Sequence, residues 1–310
     1  MKRILIIGAN GFTGRRILND LSVQSYFQTI GCSLREDIGT NCVINYEFRR
    51  TDIRNDDAVK ELFKQYRPDI VINTSALSVP DYCETHREEA FLTNVKAVGQ
   101  LARICENYGS RFIHLSTDFV FEGNVKHLYQ ETEVPNPVNY YGITKWKSEQ
   151  EVSQNCSNYA IVRVAIVYGE TMPGQHGNIF QLVANRLRKR EEIRVVSDQW
   201  RTPTFVGDVS KGIELLMNNS QNGIFHIAGK ECLTISDIAF RVADFLKLDS
   251  SLIHPVTTDE MQETTPRPRF SGLCIDKAQR LLGYQPHSIE EGMQEMFESL
   301  ENKTERLAIT

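Results

Sequence analysis

Tyr141 and Lys145 are the pair of side chains in this sequence best suited to proton transfer. They lie four positions apart in a stretch with helical spacing, so both side chains occupy one helix face. A phenol with its ordinary pKa of about 10 exchanges protons slowly at neutral pH, and a nearby ammonium favours the phenolate. The pair predicts acid–base chemistry in which Lys145 tunes Tyr141. The alternative is a tyrosine that packs as an ordinary aromatic residue.

A hydroxyl group precedes this pair at a position where α/β proteins build their sites. Thr117 follows the apolar run 112–115, which places it at the carboxyl end of an expected buried strand. There it can hydrogen-bond a substrate carbonyl and hold it within reach of Tyr141. The predicted catalytic residues are Thr117, Tyr141 and Lys145. A helix cap or a turn would also explain the threonine taken alone.

Three glycines follow the first apolar strand, 3–7, and precede an amphipathic helix. Glycines allow a tight turn and a close approach of the backbone to a dinucleotide pyrophosphate. The free N–H groups at the start of the helix attract that anion. The alternative is a purely structural turn. The cofactor-binding residues predicted in this loop are Gly8, Asn10, Gly11, Phe12, Thr13 and Gly14.

The end of the expected second strand indicates which dinucleotide is favoured. Residues 31–35 contain no acidic side chain to accept hydrogen bonds from an adenosine ribose 2′-hydroxyl. Ser33 and Arg35 are instead suited to a 2′-phosphate. We therefore expect NADPH in preference to NADH, with a solvated Arg35 as the alternative.

Short apolar runs alternate with amphipathic helices and must position these residues. Buried strands are expected at 4–7, 70–73, 112–115 and 161–164. The alternation predicts an α/β fold, a Rossmann-type doubly wound parallel sheet with a smaller C-terminal α/β substrate domain. We expect residues 1–170 to form the NADP-binding domain that carries the catalytic residues. Residues 171–300 are expected mainly to bind substrate, with some elements returning to the Rossmann sheet.

The overall composition argues against several classes of protein. A formal charge of −5 and a pI near 5.9 give no electrostatic basis for binding nucleic acid or an anionic membrane. The seven cysteines are scattered without the spacing of metal ligands, so reduced thiols and no metal site are expected. The sequence has neither a secretion signal nor an apolar run of membrane-spanning length. We therefore expect a cytoplasmic protein.

Several longer segments resemble the dTDP-4-dehydrorhamnose reductases, which belong to the extended branch of the short-chain dehydrogenase/reductase superfamily. They are GANGFTG at 8–14, RPDIVIN at 67–73, LSTDFVFEG at 115–123, YYGITK at 140–145, DQWRTP at 198–203 and RPRFS at 267–271. The resemblance implies hydride transfer from NADPH to the C4 ketone of a nucleotide-linked 6-deoxysugar, in dTDP-L-rhamnose synthesis. It also implies that Tyr141 donates the proton and that Lys145 holds the nicotinamide ribose.

The same resemblance implies further binding residues. Asp52 and Ile53 match the position that contacts adenine, and Ser75 and Ala76 match a loop beside the cofactor. On the substrate side, the implied residues are Ser78, Val79, Asp81, Asn178, Arg201 and Arg267. Helix capping by the asparagine or the aspartate, and carboxylate pairing by either arginine, are the alternatives. The resemblance further implies a homodimer and, in some members, Mg²⁺, although no carboxylate cluster here calls for a metal.

Two other functions stay open. Members that dehydrate sugar nucleotides tend to have Asp-Glu after the equivalent threonine, whereas this chain has Asp118 and Phe119. Without the second carboxylate, reduction or epimerisation is favoured over dehydration. Segments 31–35 and 198–203 also resemble the regulatory β subunit of methionine adenosyltransferase. That subunit binds NADP and acts chiefly as a partner protein rather than as an enzyme. The alternatives are another sugar-nucleotide epimerase or oxidoreductase, and an NADP-binding regulatory subunit.

Overall fold

The computed structural model describes residues 1–39 and 45–308. Its strands are β1 (Lys2–Ile7), β2 (Phe27–Ser33), β3 (Tyr46–Arg50), β4 (Ile70–Asn73), β5 (Arg111–Thr117), β6 (Tyr159–Val164), β7 (Val167–Tyr168), β8 (Ile193–Val196), β9 (Trp200–Arg201), β10 (Thr204–Phe205), β11 (Gly223–His226), β12 (Leu233–Thr234) and β13 (Ile253–Val256). Its helices are α1 (Phe12–Ser22), α2 (Asp56–Tyr66), α3 (Pro80–Thr85), α4 (Arg87–Phe91), α5 (Ala97–Tyr108), α6 (Tyr140–Asn155), α7 (Ile179–Arg188), α8 (Val206–Met217), α9 (Ile235–Phe245), α10 (Thr258–Met261), α11 (Asp276–Leu282) and α12 (Ile289–Ala308).

The main sheet has seven parallel strands in the order β11-β6-β5-β4-β1-β2-β3. The chain begins at β1 in the interior, adds β2 and β3 on one side, and then builds β4, β5 and β6 on the other. The strand order therefore reverses beside β1. In open α/β sheets, ligands bind in the crevice outside the carboxyl ends of the strands at such a reversal. The predicted Rossmann-type α/β fold is confirmed.

The side chains of β1 explain why helices cover both faces of the sheet. Ile4 and Ile6 pack in one core cluster together with residues of α1 and α8. Leu5 and Ile7 pack in a second cluster with residues of α2 and α5. A strand that is buried on both faces needs an unbroken apolar run rather than an alternating one. This is the pattern from which the strand was predicted.

The chain after β6 forms smaller elements with a core of their own. Three short strand pairs, β7–β10, β8–β13 and β9–β12, surround a cluster that residues of α7, α9 and α12 fill. Two elements return to the main sheet: β11 pairs with β6, and α8 contributes to the same core cluster as β1 and α1.

None of the described helices is both long and apolar enough to cross a lipid bilayer. In the described ranges there is also no group of three or more His, Cys, Asp or Glu side chains placed to hold a metal ion. The cysteines at 32, 83, 105, 156, 232 and 274 are free thiols. Cys42 lies outside the described residues.

Candidate active site

The glycine loop after β1 is a close-packed turn. Gly8 has a φ of +82°, in the left-handed region that strains side chains other than glycine. A Cβ atom on Gly8 would lie 2.7 Å from the backbone nitrogen of Ser75, and one on Gly14 would overlap the Gly8 carbonyl. The Gly11 N–H donates to the same carbonyl at 2.8 Å and closes the turn. The loop therefore needs glycine at these positions.

Helix α1 begins at this loop with unused backbone donors. Gly11 is the N-cap residue, and it has no side chain to accept hydrogen bonds from the first turn. The first N–H groups of the helix, at Phe12 and Thr13, are left for an external acceptor. The positive end of the helix dipole favours an anion at this point. The pyrophosphate of a dinucleotide fits these residues.

Asn10 connects the glycine loop to the segment after β2. Its Nδ2 donates to the carbonyl oxygens of Arg35 at 3.2 Å and Glu36 at 2.7 Å. Its Oδ1 accepts from the Ile38 N–H at 3.2 Å and from Arg15 Nη2 at 2.7 Å. The side chain of this predicted cofactor ligand is thus engaged in holding the two loops together.

Two arginines flank the carboxyl end of β2. Ser33 is the last residue of β2, and Arg50 lies beside it in register on β3. The Arg35 side chain is exposed. Arg50 donates to Leu34 O at 3.3 Å and pairs with Glu36 at 3.4 Å. The predicted 2′-phosphate site therefore has a second cation nearby, which sequence inspection missed because strand register is needed to place it.

The segments after β3 and β4 end at the same edge of the sheet. Asp52 follows β3 and pairs with Arg54 at 2.7 Å, and this hydrogen-bonded guanidinium lowers the pKa of the Asp52 carboxyl. Ile53 is buried beside it. Ser75 and Ala76 follow β4 and are partly buried. The structure thus brings the predicted cofactor residues after β1, β2, β3 and β4 to one edge.

Thr117 and Tyr141 come together at the end of β5. Thr117 is the last residue of that strand. Asn139 caps α6 by accepting a hydrogen bond from the Gly142 N–H at 2.8 Å, so that Tyr141 lies in the first turn of the helix. The Thr117 hydroxyl lies near the Tyr141 phenol and acts to lower its pKa. The Thr117 hydroxyl also donates to Asp118 Oδ1 at 3.1 Å.

Lys145 lies one turn further along α6 and is 2% exposed. Its Nζ donates to Leu115 O at 2.7 Å and lies 3.2 Å from His114 Nε2. Burial lowers the pKa of Lys145 to about 8, and the nearby Glu149 carboxylate opposes this shift. The amine is still mostly charged at neutral pH, but it holds its proton less tightly than an exposed lysine does.

The pKa of the Tyr141 phenol is raised, opposite to the direction expected from a neighbouring lysine. Burial is the main cause; the nearby Thr117 hydroxyl opposes it, and the Asp118 carboxylate adds to it. The Lys145 ammonium is bound to a backbone carbonyl of β5. The expectation was wrong because it ignored the cost of placing a phenolate in a poorly solvated site. A neutral phenol is the form that can donate a proton.

Asp118 and Phe119 border the three predicted catalytic residues in different ways. The Phe119 ring meets the Tyr141 ring edge-on, with centroids 6.0 Å apart. Asp118 is buried, and its carboxylate accepts a hydrogen bond from Ser271 and lies 3.5 Å from Arg201 Nε. The side chain against the phenol is therefore apolar, and the carboxylate is held by protein partners.

Arg201, a predicted substrate residue, is buried, with 1% of its surface exposed. Its guanidinium donates to the carbonyl oxygens of Pro268 at 2.7 Å and Trp200 at 2.8 Å. Together with the Asp118 pair, these bonds realise the alternative in which the arginine pairs with a carboxylate. Its cation is engaged inside the protein.

The predicted substrate residues Arg267, Asp81, Ser78 and Val79 are more accessible. Arg267 is partly exposed and forms an ion pair with Glu263, while a second guanidinium nitrogen lies 3.9 Å from Asp81. Ser78, Val79 and Asp81 are exposed. Val79 rather than Asp81 occupies the N-cap position of α3, so Asp81 does not cap this helix.

Asn178 occupies the position expected for a helix cap. Its Oδ1 accepts from the Gln181 N–H at 3.2 Å, and its Nδ2 donates to Gly169 O at 2.8 Å. The capping alternative is therefore realised. The side chain fixes the start of α7 against the loop that precedes it.

Asn94 is a buried polar residue behind the site that was not predicted from the sequence. It lies in a π-helical turn, Leu92–Lys96, between α4 and α5. Its carboxamide accepts from the Leu77 N–H at 2.8 Å, donates to Leu77 O at 2.9 Å and donates to Thr144 Oγ1 at 3.0 Å. It therefore fixes the loop after β4 against α6. The available signal was a single asparagine within an apolar helix face.

The comparisons with known proteins agree with this architecture. The family model described as the RmlD substrate binding domain matches residues 1–302. A probable low-salt glycan biosynthesis reductase of Haloferax volcanii is 29% identical, over 93% of this chain and 95% of that protein. Methionine adenosyltransferase 2 subunit beta of Danio rerio is 30% identical, over 90% and 85% respectively.

The comparison with solved structures includes dTDP-4-dehydrorhamnose reductase of Bacillus anthracis in complex with NADP. It superposes with a TM-score of 0.86 and 28% identity, covering 96% of this chain and 100% of that chain. The resemblance drawn from the sequence motifs is confirmed at the level of the family. Because the family model spans both the Rossmann sheet and the smaller elements that follow it, this protein belongs to the RmlD substrate binding domain family.

Proposed function

We propose that this protein is an NADPH-dependent reductase of the C4 ketone of a nucleotide-linked 6-deoxy-4-keto sugar. The observation that carries the proposal is the proximity of Thr117, the last residue of β5, to Tyr141 in the first turn of α6, on the same sheet edge as the glycine loop after β1. This edge offers an acid for a carbonyl oxygen beside a site for a dinucleotide. Membership of the RmlD family makes dTDP-4-dehydrorhamnose the first substrate to test.

NADPH fits the residues on the cofactor side of the site. The glycine loop and the start of α1 hold the pyrophosphate, while Ser33 and Arg35 hold the 2′-phosphate. Asp52, Ile53, Ser75 and Ala76 border the adenine and ribose groups. When bound, the reduced nicotinamide supplies the hydride that reduces the carbonyl carbon. The NADP present in the Bacillus anthracis relative supports this choice of cofactor.

Tyr141 supplies the proton that completes the reduction. Its raised pKa keeps the phenol neutral at physiological pH, so the hydroxyl can protonate the carbonyl oxygen as negative charge develops there. The Thr117 hydroxyl hydrogen-bonds the same oxygen and orients it. The Lys145 ammonium stabilises the phenolate that remains and binds the nicotinamide ribose. Hydride and proton together convert the ketone to a secondary alcohol.

Residues on the substrate side divide into two roles. Arg267, with Ser78 and Val79 in the loop after β4 and Asp81 in the first turn of α3, is the accessible candidate for the phosphates and sugar of the substrate. Arg201 and Asn178 position other groups, since their polar atoms are bonded within the protein. In this scheme residues 1–170 bind the cofactor, and residues 171–300 mainly bind the sugar-nucleotide substrate.

The direct test is turnover of purified protein with NADPH and dTDP-4-keto-6-deoxy-L-mannose. We expect loss of NADPH absorbance, with formation of a dTDP-6-deoxyhexose whose mass has increased by two hydrogen atoms. Redox-neutral conversion of a sugar nucleotide, without net NADPH consumption, would instead indicate an epimerase. Turnover with NADH that equals turnover with NADPH would contradict the assignment of Arg35.

A regulatory role is the second candidate, because the 30% identity with methionine adenosyltransferase 2 subunit beta favours it. The two functions separate in one experiment. A regulatory subunit would bind NADPH but reduce no sugar nucleotide, and it would form a complex with a methionine adenosyltransferase catalytic subunit in size-exclusion chromatography. A reductase would bind NADPH, reduce the sugar nucleotide and form no such complex. The same chromatography measures whether the protein forms the proposed homodimer.

A further inference from the structure

His114 lies behind the proposed active site and takes part in none of the steps above. It is a residue of β5 with 0% of its surface exposed. Its Nδ1 lies 3.1 Å from Asn73 Nδ2, and its Nε2 lies 2.9 Å from Ser148 Oγ and 3.2 Å from Lys145 Nζ. The imidazole therefore joins the end of β4, on the cofactor side, to the helix that carries the catalytic lysine.

The surrounding hydrogen bonds assign the ring nitrogen that carries the proton. Asn73 Oδ1 accepts from the N–H and the hydroxyl of Ser75 at 3.1 and 2.6 Å, so Asn73 Nδ2 faces His114 as a donor. His114 Nδ1 must accept this bond, which leaves the single proton of a neutral imidazole on Nε2. Ser148 Oγ donates to Lys145 O at 2.6 Å and accepts from His114 Nε2.

A doubly protonated imidazole is excluded by its surroundings. Complete burial, together with the positive charge of Lys145, holds the pKa of His114 well below its ordinary value. Lys145 Nζ therefore faces an N–H group rather than a lone pair. The ammonium finds its acceptor at Leu115 O instead, 2.7 Å away, and its remaining N–H groups are left for the cofactor.

Other charges near Lys145 are accounted for within the protein. Glu149, one turn along α6, is bound by Arg163 at 2.9 and 2.7 Å and accepts from Ser116 Oγ at 2.6 Å. Its negative charge is thus shared with a buried guanidinium. The titratable groups around this site are Tyr141 and Glu149 on α6, His114 on β5, Arg163 on β6, Asp118 after β5 and Cys83 on α3.

We propose that His114 is a positioning residue that acts through Lys145. Locked with its proton on Nε2, the imidazole donates to Ser148 Oγ and offers the neighbouring ammonium no lone pair, so the ammonium is directed to Leu115 O and the cofactor side. The ring has no lone pair on the side that faces Lys145. The proton that reprotonates the Tyr141 phenolate after each turnover therefore does not pass through His114. This inference rests on the proposed function, in which Lys145 binds the cofactor ribose.

The tautomer can be measured in the wild-type protein without any substrate. In ¹⁵N-histidine-labelled protein, protonated and unprotonated ring nitrogens have distinct chemical shifts. We expect His114, assigned from its contacts with Ser148, to keep a protonated Nε2 and a bare Nδ1 from about pH 6 to about pH 9. A protonated Nδ1, or titration of the ring in this range, overturns the inference. The result does not depend on turnover, so it separates this inference from the proposed reductase function.

A substitution tests the effect on Lys145. His114→Gln replaces the N–H group facing Nζ by an amide whose oxygen can accept from the ammonium. Lys145 should then keep its proton to higher pH, so the midpoint above which NADPH affinity declines should rise by about one pH unit. The readout is the NADPH dissociation constant measured by fluorescence across the pH range.

The matched control is His226→Gln. His226 is also 0% exposed, but it lies on β11, where its Nδ1 is 3.1 Å from Cys274 O. This control removes a buried imidazole of the same sheet without touching Lys145, and we expect the midpoint to stay at its wild-type value. An unchanged midpoint in His114→Gln, or an equal shift in both variants, contradicts the inference. Should either variant fail to fold, the tautomer measurement on the wild-type protein still decides it.

Discussion

The cofactor side and the substrate side of this site are built by different means. On the proposed cofactor side, the groups expected to bind the pyrophosphate are backbone atoms: the turn at Gly8 and the first N–H groups of α1, which have no side-chain cap. On the substrate side, the polar groups belong to side chains that already have protein partners, such as Arg201 with Asp118 and Asn178 with α7. A backbone site follows from the fold, whereas a side-chain site depends on which partner each group binds.

The largest expected effect is on kcat and comes from replacing Tyr141, the proposed proton donor. Tyr141→Phe should lower kcat by about 10²- to 10⁴-fold, because it removes the proton donor. The NADPH dissociation constant should change by less than about threefold, since the backbone site is untouched. Stopped-flow turnover and fluorescence titration measure the two quantities.

Tyr140→Phe is the control for this substitution. Tyr140 is the neighbouring residue on α6, with the Arg87 guanidinium 4.9 Å above its ring, and this variant should retain turnover. Equal losses in the two variants would show that the helix start, rather than the Tyr141 hydroxyl, controls the rate.

The two arginines of the substrate side should respond in opposite ways. Arg201→Met leaves the buried Asp118 without its cation and should lower the free energy of unfolding by about 3 to 5 kcal/mol. Arg267→Met removes a partly exposed group and should cost less than about 1 kcal/mol, while raising KM for the sugar nucleotide. Urea unfolding and steady-state kinetics measure these changes. An increase in KM for Arg201→Met at an unchanged free energy of unfolding would instead indicate that Arg201 binds the substrate.

The glycine loop offers a test of the backbone side. Gly8→Ala should weaken NADPH binding and lower the free energy of unfolding by about 2 kcal/mol or more, because strain at positive φ adds to the overlap with Ser75. Gly109→Ala is the matched control: it has a φ of +67° but nothing within 4 Å of a new Cβ atom. The difference between the two variants in thermal unfolding isolates the crowding. Equal effects would mean that Gly8 serves only the turn.

The smallest expected effect is on the choice between the two dinucleotides. Arg35→Ala and Arg50→Ala should each reduce the preference for NADPH over NADH by about tenfold, since each removes one cation from the 2′-phosphate. Arg49→Ala should not change it, because the Arg49 guanidinium lies 5.4 Å from the Tyr66 ring centroid and pairs with Glu47. Competition binding of the two dinucleotides gives the ratio. A change confined to Arg35→Ala would restrict the phosphate site to the predicted residues.

The features that could be predicted from sequence are those that depend on local pattern. Unbroken apolar runs located β1, β4, β5 and β6, because strands buried on both faces tolerate few polar residues. The glycine spacing located the tight turn, because only glycine avoids the overlaps seen at Gly8 and Gly14. Order along the chain then brought Thr117 and Tyr141 to one strand end.

The features that sequence analysis missed depend on contacts between distant residues. The register of β3 places Arg50 beside Ser33, and the packing of α6 on β5 places Lys145 beside His114. The direction of the Tyr141 pKa shift depended on burial, which outweighed any expected lysine effect. A local sequence pattern cannot predict these contacts or this pKa shift, since each is set by tertiary packing.

Strand β11 lies far along the chain but belongs to the main sheet, and this limits where the chain can be cut into fragments. A fragment that ends at residue 170 would contain β1 to β6 but not β11, which pairs with β6 through residues 223–226. The edge of β6, an apolar strand buried on both faces, would then expose unpaired N–H and C=O groups. Such a fragment would also lose the cover that α8 gives to β1 and α1. We therefore expect it to aggregate rather than fold alone, so that the cofactor half cannot be produced as an independent unit.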